Sequence, residues 1–220
     1  MWSLRPLAEA PIAPNQIDPV TCNPNNQVMP SENRRLNNNF FGRFGLIRER
    51  LDYSYHSVYS PERQVLQDEI ILSFLSKGRP SLEDPWAIFT GGVMGCGKSF
   101  VMEQLQRKGL ICVDDFVYVD PDALREFLPE YAVCLQQDAE TAGSVTQKEA
   151  GFMAEILTLA ALECGMSIIV DRSLKDCIFY ECHFRQLKRE CPKLCLAIFL
   201  ISAPLEDIYQ RLVVSRECQC

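Results

Sequence analysis

A segment near the middle of the chain has a residue pattern specific for phosphate chemistry. Residues 92–99 read GVMGCGKS and match G-x-x-x-x-G-K-[ST]. In this pattern, glycines let successive backbone N–H groups turn around phosphate oxygens, and the following helix adds its positive dipole end. Lys98 would reach the β- and γ-phosphates, and the Ser99 hydroxyl would hold Mg²⁺. The predicted nucleoside triphosphate site comprises Gly92, Gly95, Cys96, Gly97, Lys98, Ser99 and Phe100.

The flanking sequence favours this interpretation over an ordinary turn in which Lys98 is only solvated. The apolar run 86–90 before the loop is typical of a buried strand, and a helical pattern follows the loop as far as Gly109. A phosphate loop alone does not distinguish a kinase from a switch GTPase or a motor ATPase, because all three use it. The reaction class must therefore come from other residues.

A second stretch places two carboxylates where a strand gives way to a helix. Asp120 and Asp122 flank Pro121 at the carboxyl edge of the predicted sheet, where open α/β folds bind ligands. A carboxylate there can accept a proton from a substrate hydroxyl, and Arg125, one turn later, can bind a substrate phosphate through its planar guanidinium. For Asp120 the alternative is a helix N-cap, with Pro121 in the first turn.

Asp171 is a candidate metal ligand. It ends the apolar run 167–170, where a carboxylate could order the hydration shell of Mg²⁺. The alternative is a simple strand terminus. Together with Ser99, Asp171 completes the predicted metal site.

The elements that must position these residues alternate along the chain. Apolar runs of strand type cover 86–90, 110–113, 116–119, 167–171 and 195–201, and helical patterns begin at Ser60-Pro61 and cover 121–128, 146–164 and 176–190, with a last helix after Pro204. Thr146 and Glu149 form a capping-box pattern at the start of the helix 146–164. Strands separated by helices need crossover connections, so the sequence predicts an α/β P-loop NTPase fold: three layers, with a mostly parallel sheet between helices.

The N-terminal region differs in composition from the rest. Six of the 13 prolines lie in the first 30 residues, which also contain many asparagines and few aliphatic side chains. Such a composition buries too little apolar surface to order itself. We therefore expect a flexible Pro/Asn-rich extension over 1–45, or alternatively a partner-binding arm, before a kinase-like domain over 46–220.

Charge and cysteine content restrict the partners and the compartment. Beyond residue 60 the chain has 16 Lys and Arg against 24 Asp and Glu, which argues against nucleic acid or an anionic membrane as partner. The 11 cysteines are odd in number, and no apolar run resembles a signal peptide or a membrane span. We expect free thiols and a cytoplasmic location.

Over residues 61–216 the sequence resembles the zeta toxin domain family, and the eukaryotic branch is the closer likeness. The resemblance rests on the loop 92–99, on DALR at 122–125 with Pro129 and Tyr131, and on DRSLKD at 171–176. Family members are P-loop kinases that resemble nucleotide kinases, and the bacterial toxins phosphorylate UDP-N-acetylglucosamine on the 3′-hydroxyl of its sugar. The resemblance implies ATP and Mg²⁺ as ligands and a hydroxyl compound, such as a UDP-sugar, as acceptor.

The resemblance also implies roles for individual residues. Asp122 matches the aspartate of the family's D-x-x-R segment and would be the general base, with Arg125 on the substrate or phosphate. Arg211 and Arg216, on the helix after the fourth strand, would stabilise the transferring phosphoryl group together with Lys98. Lys175, a predicted substrate contact, replaces a family arginine and keeps the charge without bidentate geometry.

Two departures from the family pattern bear on turnover. Arg172 replaces a family glycine and would strain or block that position if it needs a positive φ or a close approach of the backbone. The chain ends at 217–220, where family members continue into an arginine-containing lid, a strand and a helix, so we expect a C-terminally shortened member. The leading hypothesis is an ATP-dependent small-molecule kinase. The alternatives are an ATP-binding module that is catalytically impaired and recruits a partner, and an unstable fragment with an exposed sheet edge.

Overall fold

A four-stranded parallel sheet is the centre of the fold. The computed structural model describes residues 40–81, 83–137 and 139–217, with side chains except at 137, 139–142, 144 and 212–217. The described strands are β1 (Trp86–Gly91), β2 (Phe116–Val119), β3 (Ser167–Asp171) and β4 (Cys195–Leu200). They pair in the order β2-β3-β1-β4, and every pairing is parallel. The predicted α/β class is confirmed, and the carboxyl ends of the strands meet at one edge.

Helices connect the strands and cover the sheet. They are α1 (Gly45–Arg48), α2 (Pro61–Leu75), α3 (Lys98–Arg107), α4 (Pro121–Arg125), α5 (Pro129–Gln137), α6 (Ala139–Glu163), α7 (Cys177–Glu190) and α8 (Leu205–Glu217). Helix α2 begins as the sequence predicts, because the Ser60 hydroxyl accepts a hydrogen bond from the Arg63 N–H and Pro61 occupies the first turn. None of the described helices combines the length and the hydropathy that a membrane crossing requires.

The core lies between α6 and the sheet. Helix α6 buries Phe152, Met153, Ile156 and Leu157 almost completely against α2 and the strands β2 and β3. The central strands β1 and β3 are buried along nearly their whole length, as parallel strands covered on both faces must be. This packing fixes the ends of β1 and β3, from which the phosphate loop and Asp171 extend.

Buried and largely buried polar side chains, three of them charged, join α2 to α5 and α6. We call this group the interior ion network: Arg63, Gln67, Glu130 and Glu149. The Arg63 guanidinium donates to both carboxylates, with Nε to Glu149 Oε1 at 2.7 Å and Nη1 to Glu130 Oε1 at 2.7 Å. Gln67 Nε2 also donates to Glu149 Oε1 at 2.7 Å. Burial by itself lowers the pKa of Arg63, but the two carboxylates outweigh it and raise the pKa above its usual value.

Three local expectations were wrong. The apolar run 110–113 forms no strand, because the chain there turns into a 3₁₀ segment at Val113–Asp115 before β2 begins. Helix α4 ends at Arg125 rather than at residue 128, since Pro129 starts a separate helix. Helix α6 begins at Ala139, so Thr146 and Glu149 lie inside it and do not cap its start. Glu149 instead faces α2, where it neutralises Arg63.

The N-terminal segment 40–48 packs on α2. The Arg43 and Phe44 N–H groups both donate to Asp68 Oδ2, and Arg48 Nη1 lies 2.7 Å from Asp68 Oδ1 in a buried ion pair. Phe44 is part of the hydrophobic core. Most of the predicted extension, residues 1–39, lies outside the described residues, whereas 40–45 contribute to the packed domain.

Strand β4 is less covered than the other strands. Ile198 and Leu200 alternate on one face and are 50% and 78% exposed. Its pairing with β1 is the only one that β4 makes within the described part of the chain. The sheet therefore has one deeply buried half, at β1 and β3, and one half that is open at β4.

Candidate active site

The phosphate loop connects β1 to α3 in a conformation that requires glycine. Gly92, Gly95 and Gly97 all have positive φ, at +150°, +80° and +95°. A Cβ on Gly92 would lie 2.4 Å from the Ile201 carbonyl oxygen and 2.7 Å from Cys96 Sγ. The Cys96 side chain is buried. Glycine is therefore needed at position 92 both for the backbone and for the space.

Backbone donors of the loop have no partner in the described part of the chain. The N–H groups of Gly97, Lys98 and Ser99 make no hydrogen bond there, as expected at the start of α3. Such a helix terminus attracts anions through its free N–H groups and its dipole. Lys98 Nζ lies 3.4 Å from the Gly92 carbonyl oxygen, and Ser99 and Phe100 are exposed. The segment has the donors and the charge that a phosphate group needs.

Helix α8 places Arg211 over the same loop. Its Nη1 donates to the Gly95 carbonyl oxygen at 3.2 Å and would lie 3.3 Å from a Cβ on Gly97. This brings a second positive charge to the loop from a distant part of the sequence. The side chain of Arg216, predicted beside it, lies outside the described residues.

Asp171 lies at the carboxyl end of β3, beside the end of β1. In the parallel register it pairs with Thr90, whose hydroxyl donates to Asp171 Oδ1 at 2.7 Å. The Tyr118 hydroxyl, from β2, donates to Asp171 Oδ2 at 3.2 Å. Burial, and then the nearby Asp171 carboxylate, raise the pKa of Tyr118 well above its usual value, so the phenol stays a donor. These two donors hold the Asp171 carboxylate beside Thr90, one residue before β1 ends at Gly91.

Asp120 and Asp122 have different surroundings. Asp120 caps α4, with Oδ1 accepting from the Asp122 N–H at 2.8 Å, which is the alternative that the sequence left open. Burial, together with the nearby Asp122 and Asp171 carboxylates, raises the pKa of Asp120. Asp122 projects outward with 78% of its side chain exposed and an ion pair to Arg125 at 2.6 Å. Asp122 is the accessible carboxylate at this edge.

Arg125 is held between α4 and α6. Its Nη1 donates to the Gly143 carbonyl oxygen at 3.5 Å, while its Nε is buried and has no partner in the described part of the chain. Asp122 and Arg125 both lie on the short helix α4, one turn apart. A planar guanidinium suits the recognition of a phosphate group, which would compete with the Asp122 carboxylate for Arg125.

The segment after β3 shows the backbone conformation at Arg172. No positive φ occurs at Arg172, so an arginine is tolerated there without backbone strain. The residue with a positive φ is Leu174, at +53°, and its side chain packs on Gly91 at the end of β1. An αL conformation is unusual for leucine and is maintained here by that packing. Lys175 is exposed on the same segment.

Sequence reasoning missed Thr90, Tyr118 and Leu174. Thr90 and Tyr118 belong to apolar strand runs and show no motif of their own, so only the sheet register brings them to Asp171. A polar residue near the carboxyl end of a parallel strand was the available signal. Nothing in the sequence pattern indicated the strained conformation of Leu174.

The oxygen ligands at this edge fit magnesium. Ser99 offers a hydroxyl and Asp171 a carboxylate, which are the hard ligands that Mg²⁺ prefers. No group of three or more His, Cys, Asp or Glu side chains among the described residues could hold a metal ion. Protein sites for Mg²⁺ commonly use one or two side chains, with water and substrate phosphates completing the shell. The residues therefore fit a Mg²⁺ ion that arrives with a nucleotide.

Comparison with known proteins finds a matching family model and similar solved structures. The family model of the zeta toxin matches residues 73–194, more than half of the chain. A structure from the PezAT chromosomal toxin–antitoxin system of Streptococcus pneumoniae aligns with a TM-score of 0.57 and 22% identity over 69% of this chain. The aligned region is 60% of that structure's length. A candidate kinase from Chloroflexus aurantiacus aligns with a TM-score of 0.46 and 20% identity, over 63% of this chain and 70% of its own. No curated protein matches the sequence.

Proposed function

Because this chain belongs to the zeta toxin family, we propose that it binds ATP on the loop 92–99 and transfers the γ-phosphoryl group to a hydroxyl of a small molecule. The observation that supports this proposal most is the loop itself. It combines positive-φ glycines, free N–H groups at the start of α3 and two cationic side chains, Lys98 and Arg211. An anionic ligand gains more from that arrangement than a neutral or cationic one.

In the proposed reaction, the acceptor hydroxyl oxygen bonds to the γ-phosphorus while the bond to the bridging oxygen of ADP breaks. Asp122 accepts the hydroxyl proton, and its exposure at the carboxyl edge supports this role. Lys98 and Arg211 stabilise the charge on the phosphate oxygens, and Arg216 is proposed to assist from the same helix. A Mg²⁺ ion on Ser99 and Asp171 would neutralise charge on the nucleotide.

The proposed acceptor is a phosphorylated small molecule, a UDP-sugar such as UDP-N-acetylglucosamine being the example that the family resemblance offers. Arg125 and Lys175 supply cationic groups for its phosphates, and Asp120 borders the same edge. The likeness to the eukaryotic branch of the family remains a prediction.

An ATP-binding module without turnover is the second candidate. The observation that favours it is the ion pair of Asp122 with Arg125 at 2.6 Å, which holds the proposed base on its own helix instead of leaving it to an acceptor. Binding without transfer would then serve recruitment of a partner.

The nucleotide site is tested by thermal unfolding with and without Mg²⁺-ATP, comparing wild type, Lys98→Ala and the control Lys108→Ala at the far end of α3. Ligand at 100 times its Kd adds about 2.7 kcal/mol of stability, which raises Tm by roughly 5–10 °C for a domain of this size. We expect this shift in wild type and in Lys108→Ala and not in Lys98→Ala. An equal shift in Lys98→Ala would reject the site.

Transfer is tested separately with γ-labelled ATP and UDP-N-acetylglucosamine. A kinase gives a labelled acceptor, and Asp122→Asn lowers the rate by roughly 10²- to 10⁴-fold while ATP binding persists. Binding without any labelled product, in wild type as in Asp122→Asn, would favour the module without turnover.

A further inference from the structure

Two hydroxyl groups hold the Asp171 carboxylate from the strands on either side of β3. Thr90, on β1, is fully buried, and its hydroxyl lies 2.7 Å from Asp171 Oδ1 but 3.5 Å from the Val170 carbonyl oxygen. Because a hydroxyl has a single proton to donate, the shorter contact is the hydrogen bond. The Tyr118 hydroxyl, on β2, donates to Asp171 Oδ2 at 3.2 Å. Both oxygens of the carboxylate are therefore held, each by a different strand.

The register of the parallel sheet explains this convergence. Thr90 lies directly opposite Asp171, whereas Tyr118 lies opposite Ile169 and reaches forward with its long side chain. Thr90 follows the buried apolar run 87–89 of β1, where an unpaired hydroxyl would be costly. The central strand thus carries a buried hydroxyl at the position where a carboxylate of the site accepts its hydrogen bond.

Hydrogen bonds from neutral hydroxyls orient Asp171 without cancelling its charge. Glu149, in the interior ion network, is neutralised by Arg63. Asp171 forms no ion pair with any described side chain, and the nearby Asp120 carboxylate adds a second negative charge. Asp171 is also partly exposed. It is therefore a carboxylate that is oriented, uncompensated and accessible, as a cation requires.

A carboxylate that binds a metal ion is commonly oriented by hydrogen-bond donors of its own. Mg²⁺ depends strongly on such orientation because it demands near-ideal octahedral geometry, whereas Ca²⁺ accepts a more flexible one. We propose that Thr90 and Tyr118 are positioning residues for Mg²⁺. Their hydroxyls fix the orientation of the Asp171 carboxylate for the ion that accompanies ATP, and they thereby favour Mg²⁺ over Ca²⁺. This role rests on the proposed binding of ATP at the loop 92–99.

The quantity to measure is the metal dependence of ATP binding by the full chain. Calorimetric titration gives the Kd of ATP in EDTA and in excess Mg²⁺, and we call the first Kd divided by the second the magnesium ratio. Asp171→Asn removes the charged carboxylate and gives the ratio expected without this ligand. Thr90→Val keeps the shape of the side chain and Tyr118→Phe keeps the ring, so each variant removes only a hydroxyl.

We expect Thr90→Val to lower the magnesium ratio by roughly tenfold, as is usual when a group that orients a metal ligand is removed. Tyr118→Phe should lower the ratio less, because its hydrogen bond is longer. Thr90→Ser keeps the hydroxyl and should retain the wild-type ratio. The corresponding ratio for Ca²⁺ should fall less than that for Mg²⁺ in Thr90→Val and Tyr118→Phe. The Kd of ATP in EDTA should stay as in wild type.

Two variants serve as matched controls. Thr158→Val removes a buried hydroxyl on α6 that donates to the Ala154 carbonyl oxygen, and Tyr55→Phe removes an exposed phenol before α2. Both should keep the wild-type magnesium ratio. Urea unfolding of every variant separates a loss of stability, which a purely structural role also predicts, from a change in the magnesium ratio, which it does not.

The positioning role is overturned if Thr90→Val and Tyr118→Phe keep the wild-type magnesium ratio, or if they raise the Kd of ATP equally in EDTA and in Mg²⁺. If Thr90→Val fails to fold, Tyr118→Phe decides alone, since Tyr118 is only partly buried. Wild type that binds ATP equally well in EDTA and in Mg²⁺ rejects this role and leaves the nucleotide site intact. Wild type that binds no ATP in either buffer rejects the proposed function, and the positioning role with it.

Discussion

Polar groups are used in opposite ways in the interior ion network and at the phosphate loop. In the network, Arg63 donates through three nitrogens to Glu130 and Glu149, and all of these groups are paired within the chain. At the loop, the N–H groups of Gly97, Lys98 and Ser99 have no partner among the described residues. The first arrangement stabilises the fold, and the second leaves capacity for a ligand. A mutation in the interior ion network should therefore change the free energy of unfolding, whereas a mutation at the phosphate loop should change nucleotide binding.

The largest effect is expected for Glu149→Ala. It leaves the buried Arg63 guanidinium with one carboxylate instead of two, and breaking a buried pair costs about 3–5 kcal/mol. Urea unfolding measures this loss, with the exposed Glu103→Ala on α3 as control, for which less than about 0.5 kcal/mol is expected. The network is not a stability element if both variants unfold at the same urea concentration.

The next largest effect is expected for Gly92→Ala, which should change both the free energy of unfolding and ATP binding. The new Cβ meets the Ile201 carbonyl oxygen and an unfavourable φ, so we expect a loss of about 1–3 kcal/mol together with loss of the ATP-induced rise in Tm. Gly109→Ala is the matched control. Gly109 also has a positive φ, +67°, but a Cβ there contacts nothing within 4 Å. If ATP still raises the Tm of Gly92→Ala, the loop tolerates the displacement that the new Cβ causes.

Arg211→Ala should change ligand binding and leave stability alone. The side chain is exposed and makes one long hydrogen bond to the loop, so unfolding in urea should change by less than about 0.5 kcal/mol. ATP affinity should fall about tenfold, which corresponds to about 1.4 kcal/mol. Lys193→Ala, an exposed lysine far from the loop in sequence, is the control. Unchanged ATP affinity in Arg211→Ala would mean that the arginine does not reach the nucleotide.

The smallest effect is expected at Asp120, which is partly buried, like the interior ion network, and lies at the carboxyl edge of the sheet, like the phosphate loop. Burial raises the pKa of Asp120 in the folded chain, so the folded chain binds this proton more tightly than the unfolded chain does. As the pH rises past the pKa that Asp120 has in the unfolded chain, the charged carboxylate therefore destabilises the fold. Asn caps a helix about as well as Asp, so Asp120→Asn should stay within about 0.5 kcal/mol of wild type at pH 4. Relative to wild type, it should gain stability as the pH rises from 4 to 7, as urea unfolding across that range would show. A relative loss over the same range would contradict the assigned direction.

The local chemistry of the site could be predicted from sequence, but not its assembly. The motif at 92–99 is continuous in the chain, so its position after β1 and at the start of α3 could be predicted from the sequence on either side of it. The approach of Arg211 to Gly95 joins residues 116 positions apart, and no local pattern encodes such a contact. Glu149 shows this limit most clearly. Its spacing from Thr146 fits a capping box, yet the residue forms a buried ion pair with Arg63, which the local sequence does not indicate.

Helix α6 has a consequence for how the molecule opens. It contacts α1, α2, α4, α5 and two strands, so most tertiary structure of the buried half depends on it. Its central amides should therefore exchange with solvent deuterium only through global unfolding, whereas those of α8 exchange through local opening. The Arg211 that α8 carries would then leave and return to the loop many times during the lifetime of one folded molecule.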